Sequence, residues 1–541
     1  MEIFAVENLS FVYAGASGKK ALDDVSFKVE KGDFVTICGA GGSGKSTLLR
    51  MLKRELVPQG ELSGGVKYCG RDLQELSAKE SAAEIGFVSQ SPEQSIVTDR
   101  VWSELAFGLE NLGLSTEEIR RKTAETAAFF GIEEWFERKT DELSGGQKQI
   151  VALAAVMATQ PRVLCLDEPT SQLDPIAAAE FINILVKLSR ELSVTVIAVE
   201  HRLENILPMS NKLMVLDEGR ILEYGEVREV LAAAKKYPDL MAGMPAAVRI
   251  SGALSEKEVA LTVKEGREFI ERNFGNEIRS FEKEKRVIGE EIALEVKGVY
   301  FRYSKEGPDA LRGLDLSVKK GEIFCILGGN GSGKTTALSV MSGISREYCG
   351  KVKIFGKKLR EYGGELYNGT VAVLPQDVQT VFSKNSVKEE LLDSKIEVNS
   401  APYGLSEKLG AHPYDLSCGE RQLLALAKVI ARKPKLLFLD EPTKALDAAA
   451  RDRVIAAIME LRDSGCTVVA VSHDTEFAVK CADRCALFFK GEVISVADTE
   501  EFFSTNYFYT TQAARMTKEY YERAITPEEV IALCKINKRK A

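Results

Sequence analysis

Apolar residues in this chain gather in short, nearly unbroken runs, each cut off by glycine, a carboxylate or a histidine, and the series of runs occurs twice. Phe34–Cys38 leads into the glycine-rich Gly39–Ser46, and Thr47–Leu52 behind it reads as a helix. Ile323–Leu327 stands in the same relation to Gly328–Thr335. Ile85–Val88 precedes Gln90, and Val371–Leu374 precedes Gln376. Val163–Leu166 runs into Asp167 and Glu168, as Leu436–Leu439 runs into Asp440 and Glu441. Two further runs end at Val199-Glu200-His201 and Val471-Ser472-His473. Apolar runs this short, bounded by turn residues, read as strands buried in a parallel sheet. Phe11-Val12-Tyr13 and Phe301-Arg302-Tyr303 each close a first strand. Between the strands, Val101–Leu109 and Ile150–Met157 have the apolar spacing of helices.

The repeat changes what length implies. For 541 residues a prior of ~150 residues per domain gives three or four domains. Lys45 and Lys334 lie 289 positions apart, however, so two large units and a connector fit better. The divisions expected are 1–240, a charged connector at 241–290, 291–505, and a C-terminal extension at 506–541. Within the connector, Lys264–Glu291 reads as a solvated helical or loose segment. The basic end Lys535–Ala541 reads as frayed, with at most a weak contact to anionic lipid.

A net charge of −8 carries no basic footprint, so no nucleic-acid partner is expected. No apolar run approaches the ~18 residues that would span a bilayer. The first residues lack a basic and then apolar signal region. A soluble cytoplasmic chain that could still attach to a membrane protein is the expectation. The ten cysteines show no metal spacing and read as free, buried and reduced, with Cys481 and Cys485 on one helix face.

The chemistry sits where the apolar runs stop. Gly39, Ala40, Gly41, Gly42, Ser43, Gly44, Lys45 and Ser46 fit G-x-x-x-x-G-K-[ST] between a strand and a helix, with Thr47 next in line. Gly328, Gly329, Asn330, Gly331, Ser332, Gly333, Lys334 and Thr335 fit it again, followed by Thr336. Such a loop turns backbone N–H groups onto phosphates, its lysine reaches the outer phosphates, and its hydroxyl can bind Mg2+. Tyr13 and Tyr303 precede the loops by 26 and 25 residues and could stack on adenine. Gln90 and Gln376 could offer an amide to Mg2+ or to the attacking water. Asp167 and Asp440 could hold Mg2+ through water, with Glu168 and Glu441 orienting or deprotonating a water. His201 and His473, at equivalent places, read as γ-phosphate contacts, and His412, without a counterpart, as structural. Ser144, Gly145, Gly146 and Gln147, and in the repeat Ser417, Cys418, Gly419 and Glu420, open long helices and read as both N-cap and anion site. From Ser144 to Asp167 and from Ser417 to Asp440 the interval is 23 in both halves.

Phosphate loop, glutamine, Leu-Ser-Gly-Gly-Gln, Asp-Glu-Pro-Thr, Leu-Asp and histidine, in this order, resemble the ATP-binding cassette (ABC) ATPases over roughly 1–235 and 291–500. The resemblance implies an α/β fold: two tandem nucleotide-binding domains, each a doubly wound core plus a helical subdomain. It implies ATP hydrolysis with Mg2+, and an intramolecular head-to-tail pseudo-dimer in which Lys45 would face Ser417 and Lys334 would face Ser144. Ser91–Val101 after Gln90, and the aromatic stretch Phe502–Thr511, resemble the fused ATPase of energy-coupling factor transporters. Taken alone, that aromatic tail reads as domain packing. The narrower resemblance implies docking at the cytoplasmic face of the cell membrane, under a transmembrane coupling subunit. That subunit would work with a small substrate-binding membrane protein for a vitamin or metal ion. Two alternatives stay open: the tandem ATPase of a sugar-type importer, and a soluble tandem cassette protein acting on ribosomes or DNA.

The halves also diverge. The second signature has Cys418 and Glu420 where glycine and glutamine are usual, and the cysteine is expected to narrow backbone freedom there. From glutamine to signature serine the interval is 54 residues in the first half and 41 in the second, so the second helical subdomain is expected to be trimmed.

Overall fold

The structure is a computed structural model that describes residues 1–15, 18–274, 286–398, 402–521 and 523–537. It divides into two compact units, Met1–Val248 with Ser255–Thr262, and Arg249–Leu254 with Val263–Ala541.

In the first unit, β1 (Glu2–Tyr13), β2 (Leu22–Glu30), β4 (Gly60–Tyr68) and β5 (Arg71–Asp72) form an antiparallel sheet ordered β2-β1-β4-β5. The remaining strands are β3 (Phe34–Cys38), β6 (Ile85–Val88), β7 (Val163–Asp167), β8 (Thr195–Val199), β9 (Lys212–Asp217) and β10 (Arg220–Glu226). They form a second sheet ordered β10-β9-β3-β8-β7-β6, parallel except for β10. Every residue of β3, β7 and β8 is buried. Alternate side chains enter two different cores. Phe34, Leu164, Leu166, Val196 and Ala198 pack on one face; Val35, Ile37, Cys165, Ile197 and Val199 pack on the other. That double burial is why these strands lack a polar alternation in the sequence.

The second unit repeats the plan. β11 (Ile292–Phe301), β12 (Leu311–Lys319), β14 (Cys349–Ile354) and β15 (Lys357–Lys358) are ordered β12-β11-β14-β15. β13 (Ile323–Leu327), β16 (Val371–Leu374), β17 (Leu436–Asp440), β18 (Thr467–Ser472), β19 (Arg484–Phe489) and β20 (Glu492–Asp498) are ordered β16-β17-β18-β13-β19-β20. β11 ends at Phe301, so Tyr303 lies just beyond the strand it was expected to close.

The helical subdomains differ as the spacing implied. The first contains Val101–Asn111 and the 15-residue helix Thr116–Phe130 before the signature helix Gly145–Ala158. The second has Val387–Asp393 and short 3-10 turns before its signature helix Cys418–Ile430. Among the described residues the long helix has no counterpart in the second subdomain.

Part of the span read as a connector is packed. Val248, in the helix Ala246–Leu254, joins a core of the first unit. Phe269 and Ile270, in the helix Val263–Asn273, are buried in the second. The charge-dense 282–285 and the last four residues of the basic end lie outside the described residues. In the aromatic tail Phe502 and Phe503 are fully buried, while Tyr507 and Phe508 are exposed. All ten cysteines are free, but Cys349 is exposed and Cys69 and Cys418 are half-buried, against the expectation of burial throughout. Cys481 and Cys485 do not share a helix face. The helix Thr475–Cys481 stops as Ala482 turns extended, and Cys485 lies in β19.

Candidate functional site

Four adjacent parallel strands of each unit deliver their C-terminal ends to one edge of the sheet, where ligands bind in folds of this kind. In the first unit, β6 delivers Gln90, β7 delivers Asp167 and Glu168, β8 delivers Glu200 and His201, and β3 delivers the glycine-rich loop. In the second, β16, β17, β18 and β13 deliver Gln376, Asp440 with Glu441, Ser472 with His473, and the second loop.

Each loop wraps around its own lysine. Lys45 Nζ donates to the carbonyl oxygens of Gly39 (3.0 Å) and Ala40 (2.7 Å), and Lys334 Nζ to those of Gly328 (2.9 Å) and Gly329 (3.0 Å). Gly44 and Gly333 cap the following helices Lys45–Met51 and Lys334–Met341 with φ of 97° and 104°. A Cβ at Gly44 would strike the carbonyl oxygen of Ala21, and one at Gly333 that of Ala310. Glycine is therefore required at both places. The rest of each run, Gly41, Gly42 and Ser43 in one and Asn330, Gly331 and Ser332 in the other, completes the turn between strand and helix.

The loop hydroxyls meet the strand-end aspartates. Ser46 Oγ donates to Asp167 Oδ1 at 2.8 Å, and Thr335 Oγ1 to Asp440 Oδ1 at 3.2 Å. Burial pushes both carboxyls up, that of Asp440 to about 6, and the neighbouring Glu168 or Glu441 adds to the rise. A hydroxyl and a carboxylate oxygen that burial leaves short of positive charge form the hard oxygen donor set that Mg2+ takes, with phosphate and water supplying the remaining ligands. The residues fit the ion.

The glutamates sit in a strained backbone. Glu168 and Glu441 have φ of 46° and 49°, a left-handed conformation costly for residues other than glycine and frequent where a side chain is aimed at chemistry. Glu168 Oε2 accepts from Gln90 Nε2 at 2.8 Å, and its Oε1 lies 2.9 Å from His201 Nε2. In the second unit Gln376 is exposed and makes no hydrogen bond among the described residues. There Glu441 Oε2 accepts from Ser472 Oγ and from the His473 amide, both at 3.3 Å, and lies 2.8 Å from His473 Nδ1. Burial would raise the Glu441 carboxyl, but hydrogen bonding and charge from His473, with Lys334 beyond, outweigh it and hold the group below the usual range. Both glutamates are thus placed to take a proton from water, and each shares its place with its histidine.

The tyrosines stand beside the loops. Tyr13 Oη is 2.9 Å from Thr47 Oγ1 and Tyr303 Oη is 2.8 Å from Thr336 Oγ1. Tyr303 is 75% exposed and Tyr13 37%, which leaves each open to a stacking partner.

The signatures lie at helix N-termini, away from their own unit's glutamate in sequence. Ser144 Oγ accepts from the Gln147 amide at 3.3 Å while Gln147 Oε1 accepts from the Ser144 amide at 2.9 Å. Ser417 and Glu420 form the same reciprocal box at 3.3 and 2.9 Å. Neither Gly145 nor Cys418 has a positive φ, and a Cβ at Gly145 would touch nothing within 4 Å. This ordinary helical position needs no glycine, so the narrower backbone freedom of a cysteine does not strain it. Gly146 and Gly419 face Ala177 and Ala450, at 3.5 and 2.9 Å from the position a Cβ would take. His412 does serve locally, accepting the Tyr414 amide at 3.2 Å.

Two participants escaped the sequence reading. Glu200 accepts the Thr170 amide at 3.0 Å, inside the first unit. Tyr509 brings its hydroxyl to 3.7 Å from where a Cβ on Gly329 would lie. The signal for Glu200 was its mismatch with Ser472 in an otherwise matched pair; Tyr509 had none.

A sequence profile described as "ABC transporter" matches residues 22–171 and again 311–444. A Bacillus anthracis protein, provisionally named an ABC transporter ATP-binding protein, is 37% identical over 548 residues, covering 98% of each chain. One of the same name from Methanosarcina mazei is 33% identical over 529 residues, 92% of this chain and 89% of its own. Among solved structures, cbiO1 of Clostridium perfringens, described as part of the ABC transporter complex cbiONQ, aligns with a TM-score of 0.39 and 30% identity. It covers 44% of this chain and 96% of its own.

Proposed function

This chain belongs to the ABC transporter family as two ATPase domains in tandem, and from that premise we propose that it powers a membrane importer resembling the energy-coupling factor transporters. ATPases of this family bind ATP with Mg2+ and hydrolyse it to ADP and phosphate. No helix among the described residues is long and apolar enough to cross a membrane. The solute path then belongs to other subunits: a transmembrane coupling subunit and a small substrate-binding membrane protein for a vitamin or metal ion.

The observation that carries this reading is the unequal pair of helical subdomains. One unit presents the helix Thr116–Phe130 and the other has only short turns there. Two unlike surfaces suit one asymmetric coupling subunit better than two copies of the same permease. The segment Ser91–Val101 beside the first of those surfaces has the energy-coupling factor resemblance.

In the proposed cycle, the loops Gly39–Ser46 and Gly328–Thr335 hold the phosphates, with Lys45 and Lys334 turning from their carbonyl partners onto them. Tyr13 and Tyr303 stack on adenine. Ser46 with Asp167, and Thr335 with Asp440, would hold Mg2+, which would neutralise phosphate charge when bound; Gln90 and Gln376 would offer an amide to it or to the attacking water. Signature residues Ser144, Gly145, Gly146 and Gln147, and Ser417, Cys418, Gly419 and Glu420, offer nucleotide phosphate the N-termini of their helices. Glu168 and Glu441 take the proton of the attacking water, and His201 and His473 bind the γ-phosphate oxygens. Closure and reopening are passed to the coupling subunit as a rigid-body motion. The alternatives are separated by purification of the tagged chain from membranes in mild detergent, with mass spectrometry of what remains bound. One coupling subunit and a small membrane protein are expected. A pair of sugar-type permeases, or ribosomes, would overturn the reading.

A further inference from the structure

The first unit holds its glutamate-bearing turn with a device the second unit lacks. The left-handed backbone of Glu168 is followed by a turn that three hydrogen bonds tie down. The Glu168 amide donates to Val199 O at 3.0 Å, and Ser171 Oγ donates to its carbonyl oxygen at 2.9 Å. The third tie is the Thr170 amide, which donates to Glu200 Oε1 at 3.0 Å. Glu200 follows directly on β8 and is 1% exposed. The second unit has Ser472 there, which accepts the Asp474 amide at 3.0 Å, while Thr443 Oγ1 donates to Asp474 Oδ2 at 2.9 Å. Burying a carboxyl is costly, and neither phosphate binding, metal binding nor water attack uses this one.

We propose that Glu200 is a positioning residue of the first site, fixing through the Thr170 amide the backbone from which Glu168 reaches Gln90 and His201. The inference rests on the reading of Glu168 as the group that takes the proton of water. It adds that the two sites tie their turns differently: a buried glutamate at the end of β8 accepts the turn amide in the first, and a serine stands at that position in the second.

Ionisation gives the device a pH dependence. Burial pushes the Glu200 carboxyl up to about 7, while hydrogen bonds from Thr170 draw it down; Glu168 raises it and His201 lowers it. Below that pH the group is a neutral acid and a weaker acceptor for the amide. Above it, the bond from Thr170 becomes charge-assisted and stronger. The firmer tie raises first-site turnover as pH rises through about 7. Ser472 has no such titration.

The test is ATP hydrolysis by the full chain across that pH range, with Glu200→Gln and Glu200→Ala. Each is measured alone and in the Glu441→Gln and Glu168→Gln backgrounds, which leave the first and second site respectively. Glu200→Ala should lower first-site kcat by roughly tenfold or more with KM for ATP little changed, since a displacement of about 1 Å in a catalytic group can cost 10²-fold. Glu200→Gln retains an acceptor oxygen, so it should restore most of the rate and lose the step near pH 7. The second site should not respond to either change. A step that persists in Glu200→Gln, or a kcat unmoved by Glu200→Ala, overturns the proposal. If Glu441→Gln silences both sites, the difference between wild-type and Glu200→Gln profiles in the intact chain reads the same step. If Glu200→Ala fails to fold, the isosteric Gln variant carries the test. Failure of the underlying reading looks different: Glu168→Gln would then leave turnover at its wild-type level.

Discussion

Gln90 donates through Nε2 to Glu168 Oε2 at 2.8 Å across a gap of 78 residues in sequence, while the other carboxylate oxygen lies 2.9 Å from His201. The first unit thus holds its glutamate between an amide and an imidazole. The second uses Ser472 and His473 instead and leaves Gln376 exposed. A glutamine gripping the glutamate links the strand leading to the helical subdomain with the proposed general base. Movement of that subdomain would be felt at Glu168 more directly than at Glu441.

Glu168→Gln and Glu441→Gln keep the shape of the side chain and remove the base. Each is expected to slow turnover at its own site by ~10² to 10⁴, the usual worth of a positioned general base, and to spare ATP binding. Single-turnover hydrolysis by the double variant checks this. Near-normal turnover would remove both glutamates from the chemistry.

Lys45→Ala and Lys334→Ala take away the one cationic side chain at the centre of each loop, leaving only backbone dipoles for the phosphates. Titration with a fluorescent ATP analogue is expected to fall from two sites to one in each variant. Two undiminished sites in either would show that the loop is not the binding element.

The signature divergence should act through charge. Cys418 occupies an ordinary helical position, whereas Glu420 Oε2 accepts the Ser417 amide at 2.9 Å and brings a negative charge, 3.6 Å from Lys408 Nζ, to a helix N-terminus proposed to meet phosphate. Glu420→Gln can keep that acceptor, as Gln147 does in the first unit. On the proposed function, Cys418→Gly with Glu420→Gln in the Glu441→Gln background is expected to raise steady-state turnover. An unchanged rate would mean that signature divergence does not distinguish the sites.

Lys428 and Glu390 form an ion pair, and Glu390 is fully buried while also accepting the amides of Ser383 and Lys384. The matching carboxylate of the first unit, Glu104, accepts the amides of Val97 and Thr98, and Ala155 stands at the position of Lys428. Lys428→Ala strands a buried charge and is expected to cost the second unit about 3–5 kcal/mol. Glu390→Gln with Lys428→Met keeps an acceptor for the amides without charge and should recover most of it. Hydrogen exchange of the segment 383–391 measures both. Exchange unchanged in Lys428→Ala would refute a stabilising pair.

The sequence by itself determined the phosphate loops, the strands that carry the motifs and the order of those motifs, because each is written in contiguous residues. Phe34–Cys38 followed by Gly39–Ser46 needs no distant partner to be read. It also determined that the second helical subdomain is shorter, since an interval of 41 residues cannot hold what 54 hold. It could not say which helix was missing, or that part of the expected connector packs through Val248, Phe269 and Ile270. Only the tertiary structure decided that β6, β7, β8 and β3 lie side by side, which brings Gln90, Glu168, His201 and Lys45 to one edge. Strand neighbours are chosen by hydrogen-bond register and by burial on both faces, and neither depends on nearness in sequence. The tie between Glu200 and Thr170 follows from the same fact: a residue ending one strand meets the turn leaving the strand beside it.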